Sequence, residues 1–340
     1  NIKRIVGIKS YDNVIQNSTT LSNNMWNETI KELHIEPTSV CNAECPMCAR
    51  NIYGKELNPY ITLKSLPLKW FQDNIQPNQI KQLNKMFFCG NVGDPASAPE
   101  LIKIAEYFKQ HNPNIIIGLN TNGGLKTKNW WIKLGKVLQG PLDYCVFSID
   151  GLENTNHIYR KNVKWQKIME NIEAFISTGA SAQWDMLVFE HNKHQVDEAK
   201  QLAKEKGFTW FRSKETDRWD TYTKEININP TGYTEISMRP TNPYSKPDYD
   251  KVNIICEKDR DSSIFLDYTG KFWPCCFMAE AYLNKIGYEL HNDIREYNNE
   301  ELFKEYSIRF TTNTPFYICR RACGKTSGIR SQWKKEEQLR

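Results

Sequence analysis

The feature that most constrains this chain is an alternation of short apolar runs with segments of helical spacing, repeated across its first two thirds. Leu33 to Val40 reads as a strand, Leu66 to Ile75 as a helix and Met86 to Cys89 as the next strand. Pro99, suited to a first helical turn, precedes Glu100 to Gln110, where Leu101, Ile102, Ala105 and Phe108 recur at helical spacing. Asn114 to Asn120, Tyr144 to Ile149, Trp184 to Phe189 and Phe208 to Phe211 read as strands. Trp130 to Leu138, Trp165 to Ser177 and Val196 to Lys206 are the helices between them. The count is six β/α units. Such alternation predicts a parallel sheet with helices packed outside it, either open or curled into a barrel.

Parallel strands of this kind place ligands at their C-terminal ends. The residues there are polar or conformationally special: Cys41 after the first strand, Gly90 and Gly93 after the second, Asn122 and Gly123 after the third. Asp150 and Gly151 follow the fourth strand, and Glu190 and His191 the fifth. Beyond about residue 225 the rhythm gives way to connectors rich in Asn, Pro and Tyr (Asn229-Pro230, Pro240, Pro243, Pro247), which marks a boundary. The expected divisions are an N-terminal extension over 1–31, the β/α domain over 32–225 and a smaller C-terminal domain over 226–340.

Composition narrows the class. With 340 residues, 39% of them hydrophobic, the chain can bury a sizeable core. Its longest apolar runs, Ile115-Ile116-Ile117 and Met186 to Phe189, fall far short of the roughly 20 residues of a membrane helix. A balance of 45 basic against 40 acidic residues is weak attraction for a polyanion, so neither nucleic acid nor membrane is an expected partner. The N-terminal residues lack the apolar core of a secretory signal, and closely spaced cysteines fit a reducing compartment, so the expected location is cytoplasmic.

Ten cysteines are present, eight of them in two groups near opposite ends of the chain. The first is Cys41-Asn42-Ala43-Glu44-Cys45-Pro46-Met47-Cys48, a C-x3-C-x2-C loop. At this cysteine content the spacing would arise by chance in roughly 1% of chains of this length. Three thiolates cannot close a tetrahedral zinc site, and His34 is about 20 Å away along an extended strand. A [4Fe–4S] cluster suits the count, because three irons take the thiolates and the fourth stays open to an outside ligand.

This loop resembles the signature of the radical S-adenosylmethionine (SAM) enzymes. The resemblance implies that the open iron is chelated by the amino and carboxylate groups of SAM, and that an electron from the cluster cleaves SAM to a 5′-deoxyadenosyl radical. Met47 matches the apolar position near the adenine. Gly90-Asn91-Val92-Gly93-Asp94-Pro95 occupies the place of the family's glycine-rich segment after strand two, which meets the SAM amino group. Its usual form is Gly-Gly-Glu-Pro, and Asp94 stands where Glu is common. Thr121-Asn122-Gly123 matches the strand-three motif, while Ser148-Ile149-Asp150-Gly151 with His157 and Arg160 resembles the strand-four motif that holds ribose and carboxylate. The matches cover about residues 32 to 213 and imply a partial (β/α)6 TIM-like barrel.

The second group, Cys256, Cys275, Cys319 and Cys323, follows a C-x13-G-x4-C and C-x3-C arrangement. It resembles a shortened SPASM domain of the Twitch type, which implies one auxiliary [4Fe–4S] cluster held by those four cysteines. Cys276 is a spare or alternative ligand. Zinc holding the same two cysteine pairs as a staple is the competing chemistry. Cys89 and Cys145 lie in apolar strands and read as small buried hydrophobes.

A fully ligated auxiliary cluster has no place for substrate, so its expected task is to accept or relay an electron, which makes the net reaction oxidative: dehydrogenation or crosslinking. The substrate is expected to be a small molecule or a peptide. The 31 residues ahead of Glu32 are too few for a winged-helix leader-binding domain. Asp185, Glu190 and Arg212 on or after strands five and six are candidates for substrate contact, and a flavodoxin or ferredoxin is the implied electron donor. Two other readings stay open: a redox-neutral radical SAM epimerase or rearrangement enzyme with a structural second cluster, and a non-catalytic, zinc-stapled binding module.

Overall fold

The computed structural model describes residues 30–52, 56–215, 253–254, 256, 258, 261–283, 294–325 and 335–339. Most of the proposed N-terminal extension, the boundary near residue 225 and the Pro-rich connectors lie outside the described residues.

Six parallel strands follow one another in chain order across the main sheet: β1 (Glu32–Ile35), β2 (Lys85–Phe88), β3 (Ile116–Thr121), β4 (Tyr144–Ser148), β5 (Ala182–Val188) and β6 (Trp210–Glu215). Helices α1 (Leu68–Asn74), α2 (Leu101–His111), α3 (Lys128–Val137), α4 (Trp165–Ile176) and α5 (Val196–Lys206) connect them. The sheet continues past both ends of this series. β7 (Ser263–Leu266) pairs parallel to β1 and carries the antiparallel β8 (Phe272–Trp273), while β9 (Lys335–Gln338) pairs antiparallel to β6. The expected α/β partial barrel is therefore present, and it is not closed.

β1 stops short of the run expected from sequence. Glu36 still donates its amide to Leu266 O at 2.8 Å, but Pro37 has no amide to continue the ladder, and the chain bends away towards the cysteine loop. The register explains the two faces of the sheet. Leu33, Ile35, Met86, Phe88, Ile117, Leu119, Phe147, Trp184, Met186 and Phe211 alternate onto the helix side and are buried. Trp131 of α3 and Phe175 of α4 meet Phe147 there, with ring centroids 5.3 and 5.8 Å apart. The opposite face, seen in the rows His34–Phe87 and Asp185–Arg212, is mostly polar and half-buried. Along β3 to β6 the helices cover one side of the sheet, and the polar opposite face leaves a lumen for a ligand.

The C-terminal region adds α6 (Cys276–Leu283), α7 (Asn299–Thr311) and α8 (Tyr317–Cys323). They bury a core of their own around Phe265, Trp273, Met278, Leu302, Tyr306 and Phe316. A two-stranded ribbon of Asn253–Ile254 and Gly324–Lys325 lies beside α8. No helix among the described residues is long and apolar enough to cross a membrane.

Candidate functional site

The C-terminal ends of β1 to β4 converge on the C-x3-C-x2-C loop, and each thiol meets a different neighbour. Asn122 Nδ2, just after β3, is 3.7 Å from Cys41 Sγ and donates to Asn42 Oδ1 at 2.9 Å. Arg160 Nη1 stands 3.9 Å from Cys45 Sγ, and Cys48 Sγ stands 4.0 Å from Asn91 O. The loop's own amides help: Ala43 N donates to Cys41 Sγ at 3.3 Å. Burial pushes the Cys45 thiol up to about 11 against the pull of Arg160, and burial raises Cys41 as well. Thiols so deeply placed ionise when a metal takes the proton's place.

The segment after β2 is held against this loop by backbone contact. A Cβ on Gly93 would lie 1.7 Å from Thr38 O, and one on Gly90 would lie 2.1 Å from Gly93 O, so no larger residue fits either position. Val92 N and Gly93 N both donate to Glu36 Oε1, at 2.7 and 3.1 Å. Glu36 is fully buried, and burial pushes its carboxyl up to about 8, with Asp267 and Glu280 adding to the rise while the two amides oppose it. Asp94 accepts from Ala96 N at 2.9 Å, Thr121 Oγ1 at 2.9 Å and Asn122 N at 2.7 Å. Its carboxylate thus ties the segment after β2 to the turn after β3.

The turn after β4 is fastened in the same manner. Asp150 Oδ2 accepts from Arg160 Nε at 2.6 Å and its Oδ1 from Leu187 N at 2.7 Å. Burial alone would lower Arg160, but the charges of Asp150 and Cys45 outweigh it and raise the guanidinium above its ordinary value. Ser148 ends β4, half-buried, opposite Asp185 of β5. Met47 is buried in the main core. Asp185 and Arg212 form a two-pronged pair, 2.7 Å at both contacts, beside a cavity of about 360 Å³ lined by Asn120, Tyr144, Gln183, Trp210 and Arg212. Glu190 instead pairs with Lys193 at 2.6 Å on the surface side.

The second cysteine group also comes together. Cys256, Cys275, Cys276, Cys319 and Cys323 all line one cavity of about 190 Å³, several waters in size. Cys275 precedes α6 and takes hydrogen bonds from Met278 and Phe277 amides; burial pushes it up to about 12. Cys256 Sγ is 2.9 Å from Tyr306 Oη. Among the described residues no group of three or more His, Cys, Asp or Glu is arranged to hold a single metal ion.

Sequence reasoning missed three of these residues. Glu36 had no motif to mark it. His34, set aside as too distant for the first site, lines the second cavity, with its Nε2 2.9 Å from Cys89 O. Burial holds that imidazole down at about 4. Cys89, read as a plain buried hydrophobe, lies close enough to Cys276 for its charge to raise that thiol further, after burial and Cys275. Cys145 is fully buried on the helix side of β4.

The sequence model of the Radical SAM superfamily matches residues 35–209, just over half of the chain. The chain belongs to the radical SAM superfamily. Membership implies a [4Fe–4S] cluster and SAM, and the Cys41, Cys45 and Cys48 loop is the part of the chain that fits them. No curated protein is similar enough to count as a relative. Among solved structures the radical SAM chain is similar to Streptococcus suis SuiB bound to precursor peptide SuiA. Identity there is 16% and the TM-score 0.50, over 81% of this chain and 68% of SuiB. It is also similar to anSMEcpe with bound AdoMet, at 16% identity and a TM-score of 0.44, over 84% of this chain and 61% of that one. At 16% identity the likeness to SuiB is one of fold.

Proposed function

We propose that this radical SAM enzyme removes hydrogen from a carbon of a peptide, oxidatively, to give a dehydrogenated or crosslinked product. When bound, the cluster and SAM supply the one-electron cleavage that takes a hydrogen atom from a nearby carbon. The chain's own residues hold and orient the partners. Cys41, Cys45 and Cys48 hold the cluster. Met47, Gly90, Asn91, Gly93, Asn122 and Ser148 shape the SAM pocket, with Asp94 fixing its strand-three wall and Asp150 with Arg160 its strand-four wall. Asp185 and Arg212 face the substrate from the lumen.

The observation that carries the oxidative reading is the meeting of the second cysteine group around one cavity, with Cys256, Cys275, Cys319 and Cys323 as ligands of an auxiliary [4Fe–4S] cluster. Loss of a hydrogen atom leaves one electron and one proton to depart before the substrate is closed-shell again. A cluster held by Cys256, Cys275, Cys319 and Cys323 would supply the acceptor for that electron, the proton would pass to solvent, and a flavodoxin- or ferredoxin-type protein would serve as the electron partner. The likeness to SuiB, whose structure holds a precursor peptide, supports a peptide substrate.

The test is incubation of the anaerobically reconstituted chain with SAM, reductant and a peptide library. Products lighter by two hydrogens, each formed with one 5′-deoxyadenosine, are expected. Products of unchanged mass would overturn the oxidative reading in favour of an epimerase, and two zincs in place of about eight irons per chain would overturn the enzyme reading altogether.

A further inference from the structure

The two cysteine sites share a wall, and the wall is the segment Cys89 to Gly93. On one side, Asn91 O stands 4.0 Å from Cys48 Sγ of the first site. On the other, the Asn91 side chain turns away from that site, and Nδ2 donates to the backbone O of Cys276 at 3.0 Å. Cys276 opens α6 and lines the second cavity beside Cys275.

The contact is not isolated. Glu280 lies one turn along α6 from Cys276, on the same helix face. Its charge adds to the rise of the Glu36 carboxyl, whose Oε1 accepts the amides of Val92 and Gly93, the two residues after Asn91. Asp267, which follows β7 in the C-terminal region, also acts on Glu36. Cys89, at the head of the segment, adds through its charge to the rise of the Cys276 thiol, after burial and Cys275. The hydrogen bond from Asn91 to Cys276 thus ties the glycine-rich segment to the helix that lines the second site, while Glu36, just after β1, holds the two amides that follow Asn91. Any change in the position of Cys276 O would therefore be passed to Asn91 through this bond.

We propose that Asn91 and Glu36 are positioning residues that make the SAM grip of the glycine-rich segment depend on occupancy of the second cysteine site. The proposal rests on the reading of that segment as part of the SAM pocket. In this arrangement the enzyme binds SAM tightly only when its electron acceptor is in place, which limits wasteful cleavage by a half-assembled chain. Asn91 carries the link through its side chain, and Glu36 holds the two following amides in the orientation that the link requires.

The test measures SAM affinity, by equilibrium dialysis and by the change SAM causes in the low-temperature paramagnetic spectrum, in four reconstituted full-length chains: wild type, Asn91→Ala, Cys319→Ser with Cys323→Ser, and all three changes together. Emptying the second site is expected to weaken SAM binding roughly tenfold. Asn91→Ala is expected to cause a similar loss with the second site full, and the combined variant to lose no more than either. Equal affinity with the second site full or empty, in chains that retain the first cluster, would overturn the proposal. So would losses that multiply in the combined variant. A second measurement, amide hydrogen exchange over residues 89–95, needs no cysteine substitution. Asn91→Ala is expected to speed exchange at Val92 and Gly93 roughly fivefold, and unchanged protection there would overturn the proposal whatever the cysteine variants do. SAM binding by the wild type that shows no such coupling would leave the SAM pocket standing, whereas no binding at all would sink both readings.

Discussion

The two cysteine sites are built in opposite ways. In the first, three thiols sit on eight consecutive residues, and four strand ends merely press Asn91, Asn122, Arg160 and the glycines against them. In the second, five cysteines arrive from three separate stretches of chain, and only the packing of α6, α7 and α8 against β7 gathers them round one cavity. The first group is brought together by local spacing, since its three thiols lie within eight residues. The second depends on a small core, and its assembly is coupled to that core's folding.

The largest expected effect breaks the comparison at its strong side. Cys45→Ser should abolish SAM cleavage, at least a hundredfold in rate, and remove about half of the bound iron while the second site stays loaded. Cys319→Ser should do the converse, leaving the spectrum of the first cluster in place. Iron counts and paramagnetic spectra on both variants decide the matter; loss of both clusters in the first variant would mean that the sites do not assemble independently.

Next comes the buried pair that braces the first site. Asp150→Ala strands the Arg160 guanidinium without its carboxylate partner next to Cys45, with an expected destabilisation of about 3–5 kcal/mol in urea unfolding. A loss below about 1 kcal/mol would show that solvent reaches Arg160 freely and that the pair braces nothing.

The smallest effect sharpens the contrast at the shared wall. Glu36 has its carboxyl raised to about 8, above its ordinary value, so the folded chain keeps a proton there that the unfolded chain releases near 4.5. Stability therefore falls as pH rises between those limits. His34, held down at about 4, works in the other direction below its ordinary 6.5, which leaves the window from 6.5 to 8 to Glu36. Over that window the wild type should lose on the order of 1–2 kcal/mol, and Glu36→Gln should flatten the profile. Thermal unfolding across the pH range reads this directly, and a slope unaltered in the variant would assign it to another group.

Much of the architecture is legible in the chain itself. The six strands lie where apolar runs predict them because a parallel strand buried under helices must present side chains such as Leu33, Met86 and Trp184 to a dry layer. The departure at β1 is legible only in hindsight, at Pro37. What could not be read is the extension of the sheet by β7 and β9, since pairing of β7 with β1 joins residues more than two hundred positions apart. The same holds within the site. Cys41, Cys45 and Cys48 announce themselves by spacing, but Glu36 looks like any surface carboxylate until Val92 is brought to it across 56 residues.

By itself the sequence determined the alternation that forces a parallel sheet and the thiol spacing that suits an inorganic cluster, because both are local patterns that need no knowledge of the rest of the chain. Tertiary structure alone decided which way Asn91 turns, and it joined Asn91 to Cys276 over 185 residues. It also placed His34 beside the second cavity rather than idle in a strand. Side-chain direction and long-range pairing depend on which surfaces the folded chain excludes from water, and that is a property of the whole packed molecule.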